Sequence, residues 1–316
     1  MGTKETCSRS YSGEADFARV RDLLVESFAI SGHIHNWWID RWEVFRYGGH
    51  VLEELDGSRP WENDVRLWET KGDADTPAEL VGAVNPEDGG DFFIQIHPAY
   101  RHLENEMVEW AEQHHQQSRP QQQTSWPLST YLHEHDIARA ETLYGRGFRN
   151  MGHDGYTRWR FLGGPLPEVK LPDGYSVHNV RARDRHDLIR RAAVANASFG
   201  HSKHNAATIR VLHRAQTYRE DLDLVVEAPD GSFASYCVIW FSKMNRMGWF
   251  EPVGTHPDHR RLGLAKGMMA EGLRRIRALG GTKAFVGVGT GEAANRLYES
   301  VGFTNSCRDF LWQKAF

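Results

Sequence analysis

A basic turn at residues 259–267 has the composition of an anion-binding loop. Gly263 and Ala265 are small enough to let an anion approach the main chain. Positive charge comes from Arg260, Arg261 and Lys266. The turn joins a strand-like run, Gly248–Thr255, to a helix-like run, Leu264–Ala278, and the first N–H groups of a helix have no partners within it. These residues predict a phosphate or pyrophosphate site, against the alternative of a tight turn flanked by solvated arginines.

A proline interrupts the strand-like run shortly before this turn. Proline has no N–H to donate to a sheet ladder, so Glu251 and Pro252 together predict a bulge or a splayed strand. The alternative is an edge-strand proline with no further role.

The segments that follow the turn come in a distinctive order. After the helix come a strand-like run, Lys283–Thr290, and a helical segment that ends in a glycine turn. The characteristic residues of that last segment are Asn295, Leu297, Tyr298, Gly302 and Phe303. Together with the basic turn, this order resembles the GCN5-related N-acetyltransferases (GNAT superfamily) over roughly residues 174–316.

The resemblance implies a coenzyme A site. GNAT proteins hold the pyrophosphate of coenzyme A in the turn and lay the pantetheine arm in a gap between their fourth and fifth strands. The implied pyrophosphate-binding residues are Arg260, Arg261, Leu262, Gly263, Leu264, Ala265 and Lys266. The implied pantetheine partners are the backbone of Val253, Gly254 and Thr255 and the side chain of Asn295, for which an ordinary place on a helix surface is the alternative. An N–H near Val253 would polarise the thioester carbonyl.

Acetyl transfer to an amine also requires groups that move protons. The resemblance implies that Tyr298 is the general acid that protonates the departing thiolate. Core packing is the alternative, since Tyr144 holds the same place in the first half of the chain. Glu251 is the candidate general base, acting directly or through water, and its alternative is to orient the substrate or stabilise the structure.

The acceptor site is less clearly specified. Phe199, His201 and Trp240 are predicted to line a small pocket, with His201 as a second candidate base; a loop histidine is otherwise solvated or a cap. The aromatic segment Gly32–Trp38 either covers the cleft or belongs to a core. Its histidines would bind a metal only with a third ligand, so no metal site is predicted.

The first half of the chain repeats the plan of the second. His97-Pro98 corresponds to His256-Pro257, and Tyr156–Phe161 corresponds to Phe310–Phe316. An internal repeat of this length predicts two tandem GNAT-like domains of the mixed α/β class, each a twisted mixed sheet flanked by helices.

The boundary between the copies is marked by glycines and prolines. We predict a degenerate domain at residues 1–162, a linker at 163–173 and a catalytic domain at 174–316. Glu104 and Glu106 stand opposite Gly263 and Ala265, and carboxylates there would repel a pyrophosphate. The first copy is therefore predicted not to bind coenzyme A in the manner of the family.

Bulk properties fit a cytoplasmic enzyme. A formal net charge of −4 over 316 residues provides no general attraction to nucleic acid or to an anionic membrane. The three scattered cysteines predict neither a disulfide framework nor a zinc site. The first residues lack the apolar core of a signal peptide, and the most apolar stretch, Phe233–Phe241, is too short to span a bilayer.

We therefore expect an acyl-CoA-dependent N-acyltransferase that transfers acetyl from acetyl-CoA to a primary amine of a small molecule by direct attack. The tandem arrangement is similar to that of the mycothiol synthase family. No residue of the predicted acceptor site matches that family, so its substrate is not assigned to this chain. The alternatives are a non-catalytic protein that senses acyl-CoA, which would not need Tyr298 and Glu251 together, and an interaction scaffold, which need not bind coenzyme A. The protein is expected to be a monomer or a homodimer.

Overall fold

A computed structural model describes residues 4–50, 61–72, 77–87, 90–118 and 127–316. Within them the chain forms twelve strands and eight α-helices, which confirms the mixed α/β class. The strands are β1 (Thr6–Ser10), β2 (Arg66–Thr70), β3 (Leu80–Asn85), β4 (Phe93–Ile96), β5 (Leu128–His133), β6 (Arg149–Phe161), β7 (Ser176–Asn179), β8 (Asp223–Glu227), β9 (Phe233–Ser242), β10 (Met247–Thr255), β11 (Lys283–Gly289) and β12 (Asn305–Lys314). The helices are α1 (Gly13–Ser31), α2 (Ile39–Val44), α3 (Glu104–Ser118), α4 (Ile137–Gly145), α5 (Arg185–Phe199), α6 (Ala206–Leu212), α7 (Leu264–Ala278) and α8 (Glu292–Ser300).

The chain packs into two compact units. The first contains Met1–Trp42, Asp56–Asp154 and Cys307–Phe316, and the second contains Glu43–Leu55 and Gly155–Ser306. In the second unit the strands lie in the order β6-β11-β10-β9-β8-β7, and only β10 and β11 run parallel. In the first unit β1 to β4 form an antiparallel sheet in sequence order, and a parallel bridge joins Asp91, just before β4, to Ser129 of β5.

The repeat is visible in local geometry as well. His97 and His256 each precede a proline, and each caps a short helical turn through its own Nδ1 atom. His97 accepts the N–H of Ala99 at 3.1 Å, and His256 accepts the N–H of Asp258 at 3.3 Å. The two histidines therefore cap equivalent turns in the two copies.

The closing strands of the two copies are exchanged relative to the prediction. Residues 155–161 of β6 pair with β11, from Gly155↔Gly289 to Phe161↔Lys283, and belong to the second unit. β12 pairs with β5 and its residues from Cys307 onward belong to the first unit. The compact units therefore depart from the predicted boundaries at 162 and 174. Both closing strands have the same alternating pattern, so the sequence does not specify which sheet edge each one joins.

The predicted linker, residues 163–173, contains no helix or strand but is packed into the second unit. Leu166 and Leu171 lie against the core of that unit, which is why this segment is not a free connection. The histidine- and glutamine-rich tract at residues 114–124 begins inside α3, which continues to Ser118; residues 119–124 lie outside the described part.

Helix α7 approaches strands β9 and β10 closely. A Cβ atom on Gly272 would lie 2.5 Å from Ile239 and 2.7 Å from the ring of Phe250, and one on Gly248 would lie 2.5 Å from Ile276. These contacts are in the buried core of the second unit, which also contains Met268, Leu273 and Phe303. The glycines thus set the distance between α7 and the sheet, and with it the position of the basic turn that precedes the helix.

No helix in the described ranges is long and apolar enough to cross a membrane. A search of the same residues for three or more histidine, cysteine or carboxylate side chains placed to hold a metal ion also finds none.

Replacing Gly272 with alanine tests this close packing. Alanine normally stabilises a helix by about 1 kcal/mol relative to glycine, but here the new methyl group meets Ile239 and Phe250. We expect the free energy of unfolding to fall by about 1–3 kcal/mol, measured by urea denaturation followed by circular dichroism. Gly145→Ala, which meets nothing within 4 Å, is the control. An equally stable Gly272→Ala protein would show that the helix can move away from the sheet.

Candidate active site

A gap opens between β10 and β11 in the second unit. The two strands pair only from Met247↔Lys283 to Phe250↔Val286. A bulge follows in β10, whose pairing with β9 resumes at Val253↔Cys237, while β11 continues along β6. The splay predicted from Pro252 is therefore present.

Backbone groups of β10 face this gap. The N–H of His256 donates to a carbonyl of β9 at 2.9 Å, so His256 and Gly254 bond to that side. Because backbone groups alternate along an antiparallel pair, Val253 and Thr255 direct theirs away from β9. The Thr255 carbonyl accepts Arg260 Nε at 3.3 Å. The N–H of Val253 is left facing the gap, where a ligand lying as an added strand can accept it.

The basic turn begins α7 with exposed donors. Gly263 is the N-cap with φ 75°, and Arg261 also has a positive φ of 62°. The first intrahelical bond runs from the N–H of Gly267 to the carbonyl of Gly263 at 3.0 Å. The preceding N–H groups, those of Leu264, Ala265 and Lys266, therefore have no acceptor in the helix. Such a helix N-terminus favours a bound anion.

Three cations lie in the turn. No carboxylate in the described ranges forms an ion pair with Arg260, Arg261 or Lys266. Arg260 is held in place, since its guanidinium also donates to the carbonyl of Ser198 at 3.1 Å. Ser198 lies in the last turn of α5 and was not foreseen in this role, because nothing in the sequence marks a backbone acceptor. Leu262 is exposed, whereas the side chain of Leu264 anchors the helix start in the core.

Tyr298 and Glu251 lie close enough to influence each other electrostatically. Burial raises the pKa of Tyr298 above its usual value, and the Glu251 carboxylate and the Cys237 thiol raise it further. The ring packs edge-on against Phe303, and the phenol remains protonated. Glu251 is exposed, and its Oε2 lies 3.8 Å from where a Cβ of Gly287 would be. The phenol can therefore donate a proton while the carboxylate can accept one.

Asn295 has hydrogen-bond partners within the protein. Its Nδ2 donates to the carbonyls of Gly289 and Gly291, both at 2.9 Å, and its Oδ1 accepts Arg158 Nε at 2.8 Å. Both donors of the amide are thus used inside the protein. Asn295 fixes the turn between β11 and α8 and has no free N–H for a cofactor arm. The sequence did not reveal Arg158 as its partner, because Arg158 precedes it by 137 positions.

Two of the three predicted acceptor residues lie together. The ring of Phe199, 53% exposed, is nearly parallel to that of His201 at 6.2 Å. His201 Nδ1 lies 3.1 Å from Asn196 Oδ1, which also accepts the N–H of His204. The loop after α5 is therefore pinned to that helix, with His201 half-buried at its start.

Trp240 is not part of that pocket. It is fully buried on β9, and its indole N–H donates to the carbonyl of Glu251 at 2.8 Å. Its size and apolar surface favour the core over a polar pocket. Trp240 instead supports the bulge that carries Glu251.

The first copy has a different arrangement at the equivalent turn. Glu104 begins α3, is 2% exposed and accepts hydrogen bonds from Arg101 at 2.9 Å and from Arg139 at 3.0 Å. Arg101, the counterpart of Arg260, also pairs with Asp136 at 2.5 Å. Burial alone would raise the pKa of Glu104, but Arg139 and Arg101 lower it below its usual value. The cations of this turn are thus already paired with carboxylates.

The chain itself also occupies the edge of β4. Asn36 Oδ1 accepts the N–H of Ile96, and Asn36 Nδ2 donates to the carbonyl of Ile96, both at 2.9 Å. Ile96 corresponds to Thr255, since each precedes the capping histidine. Backbone groups of β4 that would otherwise face outward are therefore bonded to a carboxamide of the same unit. Trp37 and Trp38 are buried beside it, which confirms the core alternative for these tryptophans.

Comparison with known proteins agrees with this geometry. Residues 194–303 match the model of the acetyltransferase (GNAT) family, a segment that includes the gap, the basic turn and Tyr298. The tandem GNAT protein from the clavulanic acid biosynthesis pathway has a TM-score of 0.63 at 13% identity, covering 98% of each chain. The GCN5-related N-acetyltransferase from Sphaerobacter thermophilus has a TM-score of 0.60 at 18% identity, covering 98% of this chain and 95% of that one. Residues 194–303 thus match the GNAT family, and the chain as a whole has the fold of the tandem GNAT protein.

Among curated proteins, a mycothiol acetyltransferase of Thermomonospora curvata is 29% identical over 155 residues, which are 47% of this chain. The match spans half the length of that relative.

Substitution of Gly263 by glutamate tests the anion site. We expect wild-type protein to bind acetyl-CoA at one site per chain in calorimetric titration. Gly263→Glu should abolish binding, because it places a carboxylate where an anion binds and strains a residue with φ 75°.

Gly280→Glu is the matched control. Gly280 follows the same helix with φ 83° and nothing within 4 Å, so it imposes the same strain away from the turn. Retained affinity in Gly263→Glu would contradict the pyrophosphate assignment. Two sites in the wild type would contradict our interpretation of Glu104.

Proposed function

We propose that the protein is an acyl-CoA-dependent N-acyltransferase that transfers an acetyl group from acetyl-CoA to a primary amine of a small molecule. The observation that carries this proposal is the gap between β10 and β11, which ends at a helix N-terminus beside three cations. The backbone N–H groups along the edge of β10 and those at the start of α7 follow one another along the chain. One extended ligand with an anionic group can therefore bind to both.

The residues present suit acetyl-CoA as a substrate. The N–H groups that begin α7, with Arg261 and Lys266, would hold the pyrophosphate. The outward backbone groups of Val253 and Thr255 would pair with pantetheine amides as a neighbouring strand does.

The proposed reaction is direct attack. The amine nitrogen forms a bond to the thioester carbonyl carbon, and the C–S bond breaks. The N–H of Val253 would stabilise the negative charge that develops on the carbonyl oxygen. Glu251 would accept the excess proton of the amine, and Tyr298 would donate a proton to the departing sulfur.

The first unit would serve a structural or substrate-shaping role. In the first unit the charges around Glu104 are paired, and Asn36 bonds to the edge of β4. The described part of this unit therefore has neither the open strand edge nor the anion site of the second unit.

Replacing Tyr298 with phenylalanine removes the proposed proton donor and keeps the ring against Phe303. We expect turnover, measured as amine-dependent release of coenzyme A, to fall by about 10²-fold, while acetyl-CoA affinity changes little. Tyr144→Phe, the exposed counterpart in the first unit, should retain full activity. Wild-type turnover in Tyr298→Phe would rule out its role as the general acid.

Replacing Glu251 with glutamine tests the general base. Loss of a carboxylate that accepts the amine proton should lower turnover and flatten the limb of the pH–rate profile that rises with pH. The control is Glu292→Gln, whose exposed side chain pairs with Arg296 on α8. An unchanged profile would place the base on another residue, with His201 the next to substitute.

A further inference from the structure

A cysteine-centred cluster lies on β5 and β12 of the first unit, outside the proposed active site. The Sγ atom of Cys307 is 3.2 Å from His135 Nδ1, and His133 lies near enough to act on the charge of the same thiol. On its other side His133 Nδ1 is 2.5 Å from Asp309 Oδ1. A thiol, two imidazoles and a carboxylate thus lie together, and these are the residue types that activate a cysteine nucleophile.

The hydrogen bonds fix how the imidazoles face the sulfur. His135 Nε2 lies 3.1 Å from the carbonyl of Ile34, so this nitrogen donates and Nδ1 is the one that faces Cys307. Asp309 Oδ1 accepts the N–H of His133 Nδ1, and the ring of His133 is stacked on that of His135 at 5.5 Å.

Protonation follows from the same contacts. Burial alone would lower the pKa of His133, but its bonds to Asp309 and Cys307 raise it to about 9. Burial alone would raise the pKa of Cys307, but His133 and His135 lower it to about 7. Both shifts favour an imidazolium beside a thiolate over the neutral pair.

The remaining charges around the cluster do not change this balance. Glu134 and Arg308, the residues next to the cluster on the two strands, pair with each other at 2.8 Å. His33 contributes a ring 5.5 Å from that of His135. The described residues contain no cluster of three or more side chains placed to hold a metal ion. We therefore interpret this arrangement as the surroundings of a nucleophile and not as a set of metal ligands.

The sulfur is within reach of small reagents. Cys307 is 8% exposed, His135 is exposed and the side chain of His133 is 20% exposed. The other two cysteines provide contrasts: Cys237 is fully buried with its pKa raised by burial, and Cys7 is exposed on β1.

We propose that Cys307 is a modification site at which small hydroperoxides oxidise the thiolate to a sulfenic acid. The sulfur attacks the terminal oxygen of the hydroperoxide, an S–O bond forms and the O–O bond breaks. Sulfur loses two electrons and the peroxide gains them. The imidazolium of His133 gives its proton to the departing alkoxide, or to hydroxide when the oxidant is hydrogen peroxide. A small thiol would reverse the change by forming a mixed disulfide with loss of water and then reducing it.

The test uses the full-length protein and hydrogen peroxide, with dimedone to trap sulfenic acid and mass spectrometry to resolve each cysteine. At pH 7 we expect labelling at Cys307 at least about tenfold faster than at Cys7, despite the lower exposure of Cys307. His133→Gln and Asp309→Asn should each slow labelling at Cys307 and leave Cys7 unchanged. Equal rates at the two cysteines would overturn the proposal.

A second measurement needs no variant. The rate of iodoacetamide alkylation of Cys307 in the wild type should reach half its plateau near pH 7. A rate at Cys307 that rises only in parallel with that of Cys7 would contradict an activated thiolate. Neither measurement depends on acetyl-CoA, so the outcome is independent of the proposed acyltransferase activity.

Discussion

The end of β10–β11 pairing at Phe250 and Val286 is the constraint on which the second unit depends. Backbone N–H and C=O groups need partners, and a strand that loses its neighbour presents them to whatever enters beside it. The indole N–H of Trp240 donates to the Glu251 carbonyl and so supports the bulge after Phe250. Beyond this bulge, β10 has an open edge inside the sheet. Close packing of α7 at Gly272 then sets where the helix N-terminus meets that edge.

The two copies show how one scaffold can satisfy equivalent backbone and charged groups in different ways. Both keep the histidine cap before the turn, and both keep parallel neighbours at the place where a gap can form. The first copy satisfies its strand edge with Asn36 and its arginines with Glu104 and Asp136. The carboxamide of Asn36 and the two carboxylates provide the kinds of hydrogen bond and charge that an anionic, amide-containing ligand would provide.

The sequence predicted what is encoded locally and missed what arises from distant contacts. The splay at Pro252, the left-handed glycine at position 263 and the helix after it follow from residue type and spacing, and all three are present. The internal partner of Asn295, Arg158, was missed because it comes from a strand before the predicted linker. Trp240 was misassigned because strand periodicity does not reveal which face a helix will cover. Neither Asn36 nor the cysteine cluster could be found, since both depend on residues more than 50 positions apart.

The exchange of closing strands has a consequence for any attempt to divide the chain. Residues 155–161, which flank β11, are encoded ahead of the linker, and the strand that flanks β5 is encoded last. A fragment starting at the linker would leave the edge of β11 bare, and a fragment ending there would do the same to β5. Bare strand edges pair with other chains. Separating the two halves of the chain would therefore expose in each half a strand edge that can pair with other molecules.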